Sequence, residues 1–236
     1  MKEVDRVVIR FAGDSGDGMQ LTGSQFTETT AVMGNDLATF PDFPAEIRAP
    51  AGSLAGVSSV QIQFSSDIIQ TPGDDLDVLV AMNPAALKAN LQDLKGNGTI
   101  LANKANYTGK NLKLAGWDSN PLEDDTLKNY KLIDLDMTKI VSHEVEDMDL
   151  STKTVSRSTN MFALGLMFWM YDRSMNSTIS FLKKKFAKRP ELVESNVRAL
   201  KAGYHYGDTI EAVQSSYKVS KAEFEPGVYR LSLIHI

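Results

Sequence analysis

The sequence FAGDSGDGMQLTG, residues 11–23, follows the apolar run Val7-Val8-Ile9 and leads into a helix-like segment. A strand that ends in a glycine-rich turn and feeds a helix gathers free backbone N–H groups and the positive end of the helix dipole at one point, where an anion would sit. Gly13, Gly16 and Gly18 supply backbone freedom there. The order Gly13-x-x-Gly16-x-Gly18 is not the dinucleotide fingerprint G-x-G-x-x-G, and no Gly-Lys-Ser/Thr follows to make a Walker loop. Asp14 and Asp17 would repel a phosphate unless one caps the helix and the other turns outward. Two readings stay open on these residues alone, a ligand-free Asp-capped turn and an anion or cofactor site.

Working outward, the chain alternates strand and helix signals. Val7 to Phe11 reads as the first strand, residues 19–32 as the helix after the loop, and residues 37–40 as a short strand. Val60-Gln61-Ile62-Gln63-Phe64 alternates cleanly and predicts an edge or antiparallel strand with one face in solvent. Val78-Leu79-Val80-Ala81-Met82 is continuously apolar, the pattern of a central strand covered on both faces. Asn83-Pro84 opens a helix over 84–94, and residues 99–102 return as a strand, completing a βαβ unit. Residues 104–129 read as a surface excursion, 131–135 as a strand and 137–141 as a short helix. Thr159 or Asn160 is the expected cap of an almost wholly apolar helix over 161–173, with Gly165 marking close approach of another element. A helical pair over 178–187 and 191–204 follows, with Pro190 at the first turn of its second member. The expected fold is α/β, a mostly parallel sheet flanked by helices with a C-terminal helical segment.

Composition narrows the function. The chain has 236 residues, 42% hydrophobic and 23% charged, with a formal net charge of -5, which argues against nucleic acid as the main partner. Zero cysteines leave no thiolate for an iron–sulfur cluster or a zinc site, so any such cluster belongs to another subunit. His143, His205 and His235 have no metal-ligand neighbours by spacing, so no metal site is expected. The longest apolar stretch, 161–171, is far short of the ~20 residues of a membrane span. The start of the chain lacks a signal-peptide pattern, and the expectation is a cytoplasmic protein without membrane partners. The irregular, Pro- and Gly-rich segment over 44–56 carries Glu46 and Arg48 on one side, either as a surface ion pair or facing a partner.

Four features in this order, the Gly13 to Gly18 loop, Phe43-Pro44-Ala45-Glu46-Ile47-Arg48, Asn160-Met161-Phe162-Ala163-Leu164-Gly165, and Lys185-Phe186 through Asn196 to Gly203-Tyr204, resemble the γ domain of 2-oxoacid:ferredoxin oxidoreductases. The form resembled is the one fused at the N-terminus of the α subunit of 2-oxoglutarate ferredoxin oxidoreductase. The resemblance implies a γ domain over 1–206, a linker over 207–230 toward a thiamine-binding domain, and a truncation or appended tail over 231–236. It implies oxidative decarboxylation of a 2-oxoacid to an acyl-CoA, with thiamine diphosphate, Mg and an iron–sulfur cluster held by the complete complex rather than by this chain. Implied partners are the β subunit, ferredoxin and the 2-oxoacid. By position, Gly13, Asp14, Ser15, Gly16, Asp17, Gly18 and Arg48 would line the cofactor region, with CoA the ligand that reaches this domain. Glu46 and Arg48 would support the chemistry, the catalytic residues themselves being unassigned. The alternative is a stand-alone CoA or adenine-nucleotide binding module. An exposed 161–171 helix would favour the oxidoreductase subunit, and a buried one with tight ligand binding by the isolated chain would favour the module.

Overall fold

A computed structural model describes residues 1–46, 49–209 and 216–225. The strands are β1 (Lys2–Glu3), β2 (Arg6–Asp14), β3 (Asp36–Asp42), β4 (Val57–Ser65), β5 (Leu76–Ala81), β6 (Leu94–Asn103), β7 (Lys131–Leu135) and β8 (Tyr217–Lys218). The α-helices are α1 (Met19–Val32), α2 (Pro84–Asn90), α3 (Gly109–Leu114), α4 (Met137–Glu144), α5 (Thr152–Met170), α6 (Asn176–Lys185) and α7 (Pro190–Thr209). Six strands form one sheet in the order β3-β4-β2-β5-β6-β7. Strands β2, β5, β6 and β7 are mutually parallel, and β4 runs antiparallel to both of its neighbours. The expected mostly parallel sheet is present, with an antiparallel flap on one side.

Strand alternation sorts the core into two layers. Val7, Ile9 and Phe11 of β2 face a cluster with Phe26 of α1 and the apolar residues of α5 and α7, whereas Val8 and Ala12 face Ala85 and Leu87 of α2. Phe26 is the hub of the first layer, its ring centroid 5.8 Å from Phe11, 5.5 Å from Phe64 and 5.9 Å from Phe168. The continuously apolar β5 lies between β2 and β6, as its pattern predicts. Asn83 caps α2 by accepting from the Ala86 amide, and Pro84 occupies the first helical position.

Three local expectations change. All of β4 is buried, including Gln61 and Gln63, so its polar face does not meet water. Gln61 accepts from Arg10 and donates to the carbonyls of Pro72 at 2.9 Å and Gly73 at 2.6 Å, so a crossing loop satisfies the amide that periodicity placed in solvent. The second change concerns α5, which starts at Thr152, capped by Ser151 accepting from the Thr154 amide. Thr159 and Asn160 are buried in mid-helix instead of capping it, because the polar run before them forms the helix's first, exposed turns. Third, α7 continues to Thr209, and residues 216–225 fold back onto the domain: β8 pairs in parallel with β1, and the Ala222 amide donates to the Gly34 carbonyl. The described part of the expected linker is therefore docked, while residues 226–236 lie outside the described set.

The apolar part of helix α5 is covered by the chain itself, residues 158–168 all being buried. Its closest neighbour is α7. A Cβ built on Gly165 would lie 2.0 Å from the Leu200 carbonyl oxygen, and one on Gly203 would lie 2.0 Å from that of Phe162. The expected close approach at Gly165 is thus a backbone-to-backbone helix crossing.

Candidate functional site

The glycine-rich turn sits at the carboxyl end of β2, between the sheet and α1. Gly18 is the α1 N-cap with φ of 74°, and no side chain caps the helix. A side chain at Gly18 would be strained twice, by that φ and by Asn160 Nδ2 of α5 at 2.6 Å from its Cβ position. Gly13 is needed for a different reason, since its Cβ would meet Asp17 Oδ2 at 2.9 Å and Met82 at 3.2 Å. Gly16 has neither constraint: its φ is not positive, and its Cβ position has nothing within 4 Å. The expectation that all three glycines serve backbone freedom is corrected here, because Gly16 keeps space open and does not relieve strain.

Neither carboxylate caps α1, which overturns the Asp-capped turn. Asp14 turns toward the 49–56 segment, where both of its oxygens accept from the Gly52 amide at 3.0 Å. Asp17 turns inward, and its Oδ2 accepts from the Asp14 amide at 2.9 Å. Burial, reinforced by the charge of Asp14 and opposed by that hydrogen bond, pushes the Asp17 carboxyl up to about 6. The first carboxylate is thus tied to the Gly52 amide and the half-buried second to the Asp14 amide, so each is held in place by a backbone donor. The open first turn of α1 then offers N–H donors without a side-chain competitor.

A groove of about 400 Å³ lies over the turn, lined by Asp14, Ser15, Gly16 and Asp17 on one wall and by Ala49, Ala51 and Gly56 on another. Its third wall is the exposed first turns of α5, carrying Lys153, Ser156 and Arg157. Among the described residues neither Lys153 nor Arg157 has a carboxylate within salt-bridge distance. One turn further along the helix, Asn160 is buried with its Oδ1 unpartnered. Two motifs far apart in sequence, the glycine turn and the Asn160 segment, thus form adjoining parts of one site. Lys153 and Arg157 were missed in the sequence because they precede the apolar run that marked the helix. The Ser151-x-x-Thr154 cap was the signal that would have extended it.

Glu46 is exposed, and its amide donates to the Ala55 carbonyl at 3.2 Å, which closes the 46–55 segment without bringing the carboxylate into the groove lining. Ile47 and Arg48 lie outside the described residues. Among the described residues no group of His, Asp and Glu is arranged to hold a metal, and no helix is long and apolar enough to cross a membrane. The Lys183, Lys184 and Lys185 cluster is exposed at the end of α6, where cations suit the carbonyl end of the helix dipole.

Comparison with known proteins agrees with this architecture. The family described as pyruvate ferredoxin/flavodoxin oxidoreductase matches residues 8–206. The chain is 52% identical over 229 residues to the 2-oxoglutarate oxidoreductase subunit KorA of Mycobacterium tuberculosis, covering 97% of this chain and 35% of that protein. It therefore spans about a third of the length of that curated relative. The 2-oxoglutarate:ferredoxin oxidoreductase of Magnetococcus marinus, solved with 2-oxoglutarate, coenzyme A and succinyl-CoA bound, is similar with a TM-score of 0.69 and 25% identity over 93% of this chain and 34% of that one. The γ subunit of a keto/oxoacid ferredoxin oxidoreductase from Geobacter sulfurreducens shares the fold at a TM-score of 0.58 and 19% identity, over 87% of this chain and 98% of its own. The match across residues 8–206 and the identity along almost the whole chain make it a member of the pyruvate ferredoxin/flavodoxin oxidoreductase family.

Proposed function

We propose that this chain is the γ-type domain of a 2-oxoglutarate:ferredoxin oxidoreductase α subunit, and that its groove forms one wall of the passage for coenzyme A. The observation that carries this reading is the groove itself: a glycine without backbone or packing constraint in one wall, and in another two cations without a carboxylate partner among the described residues. A nucleotide-bearing thioester carrier is flexible and multiply charged, and it needs cations for its phosphates and a side-chain-free wall for a narrow arm. Lys153 and Arg157 supply the first, with Arg157 able to engage a phosphate bidentately. Gly16 supplies the second. For Glu46 and Arg48 the family resemblance implies a place in the loop facing the substrate channel.

In this reading the complete complex carries out oxidative decarboxylation of a 2-oxoacid, passes electrons to ferredoxin and releases an acyl-CoA. Thiamine diphosphate and its Mg are held between the domains and subunits that complete the complex, and with zero cysteines here the iron–sulfur cluster is theirs as well. The contribution of this chain is to bind, orient and keep water from the thiol carrier, with Asp17 held in the groove wall by its hydrogen bond to the Asp14 amide.

The second reading, a stand-alone binding module, is favoured by one observation, the burial of the apolar part of α5, residues 158–168, inside the chain. The two part on the isolated chain: a module binds CoA by itself at micromolar levels, and a domain of a larger site does so only with its partners. The test of the groove uses the assembled oxidoreductase. Gly16→Val is expected to fold and assemble normally yet raise KM for CoA about tenfold, the equivalent of about 1.4 kcal/mol of lost binding. An unchanged KM in both Gly16→Val and the Lys153→Ala/Arg157→Ala variant would remove the groove from CoA handling.

A further inference from the structure

A second cavity lies at the opposite end of the sheet, below the amino ends of the parallel strands. It measures about 210 Å³ and is lined by Arg6, Lys95 and Lys131, by Asp77, and by Tyr171 and Tyr217. The Asp77 carboxylate is fully engaged: Oδ1 accepts from Lys95 Nζ at 2.8 Å and Oδ2 from the Val8 amide at 2.8 Å. Arg6 and Lys131 have no carboxylate within salt-bridge distance among the described residues. Three cations and one already bonded carboxylate leave an excess of positive charge around a confined, half-open space. Repulsion among them favours a ligand that brings negative charge and several acceptors.

The wall made by Tyr217 comes from the refolded C-terminal segment. Tyr217 stacks on Tyr171, ring centroids 5.8 Å apart, and β8 is held to β1 by the Lys2 amide donating to Ser216 O at 2.8 Å and the Val4 amide to Lys218 O at 3.0 Å. Val4 also lines the cavity. The cavity is therefore complete only when residues 216–218 are docked.

We infer that this cavity is a site for a small doubly charged oxyanion, of the phosphate or dicarboxylate class, and that its occupation holds the segment around Tyr217 against β1. A ligand that binds only the docked arrangement stabilises that arrangement by mass action, and the coupling is reciprocal. The site is separate from the groove over the glycine turn and does not depend on the reading of that groove.

The test is hydrogen exchange and thermal unfolding of the 236-residue chain. It is titrated with inorganic phosphate, and separately with succinate, against sodium chloride at matched ionic strength. The expected result is a saturable effect of one of the two anions, with the Lys2 and Val4 amides exchanging at least threefold more slowly and the unfolding midpoint raised. The responding anion identifies the class. In Arg6→Ala/Lys131→Ala, both exposed positions, the midpoint in chloride should match the parent while the anion response disappears. Equal protection by chloride, an undiminished response in the double variant, or saturable binding without slower exchange at Val4 would each overturn the inference.

Discussion

Replacing Gly203 by Ala adds one methyl group at the crossing of α5 and α7, where its carbon would stand 2.0 Å from the Phe162 carbonyl oxygen. An ordinary carbon-to-oxygen contact is about 3.3 Å or more, so the two helices would have to part by roughly 1.3 Å. The obstructing atom belongs to the backbone and has no rotamer to escape to. Its counterpart on the facing helix is equally tight, since Gly165 sits 2.0 Å from Leu200 O by the same measure. A gap of about 0.5–1 Å already forfeits between a quarter and a half of each dispersion contact, so a separation of roughly 1.3 Å puts the cost at about 3 kcal/mol, the upper end for overpacking. Alanine regains about 1 kcal/mol in helix propensity, for a net loss near 2 kcal/mol. For a chain of this size that lowers the unfolding midpoint by about 4–8 °C. Urea titration of Gly203→Ala beside Gly16→Ala provides the assay, because Gly16 has open space around its Cβ position and its replacement should cost less than ~0.5 kcal/mol. Equal stabilities of the two variants would refute the argument that Cβ clearance, and not glycine content, decides which positions matter.

Asp17 gives a pH signature. Its folded-state carboxyl is raised from 3.8 to about 6, so between those values the folded chain binds more protons than the unfolded one and stability falls as pH rises. Asp17→Asn keeps an acceptor for the Asp14 amide without the charge, and should stabilise the chain at pH 7 by an amount on the order of 2 kcal/mol, an advantage that vanishes below pH 4. Denaturant titrations across that range check it, and a constant difference would show that Asp17 ionisation is not the cause. Arg173 is 1% exposed, and its Nη1 donates to Asn35 Oδ1 at 2.7 Å while its Nε and Nη2 have no partner among the described residues. Asn35 Nδ2 in turn donates to the Ser220 carbonyl at 2.6 Å. Asn35→Ala should therefore cost about 2–3 kcal/mol and free the C-terminal segment to proteolysis, whereas a loss below ~1 kcal/mol would show that Arg173 finds another acceptor.

The strands around Val7-Val8-Ile9 and Val78-Leu79-Val80, the Asn83-Pro84 helix start and the turn after β2 follow from local rules: period, capping chemistry and glycine, each acting within a few residues. Those same rules, with the ordered set of motifs, carried the family resemblance. Four things had other causes. Gln61 and Gln63 are polar on an alternating strand, yet both are buried, and for Gln61 a loop some ten residues further along the chain supplies the partners. Lys153 and Arg157 join the glycine turn only because α5 packs across the end of β2, which brings residues more than a hundred positions apart onto one groove. Gly18 needs its positive φ and Gly16 does not, a distinction invisible in a string of glycines and fixed by the course of the backbone between sheet and helix. The Tyr217 segment, polar and without period, docks by pairing with β1 near the other end of the chain. Sequence determined what each segment could become, because propensity and patterning are local. Tertiary structure decided which side chains meet, because burial, hydrogen-bond satisfaction and electrostatics depend on neighbours that the order of residues does not name.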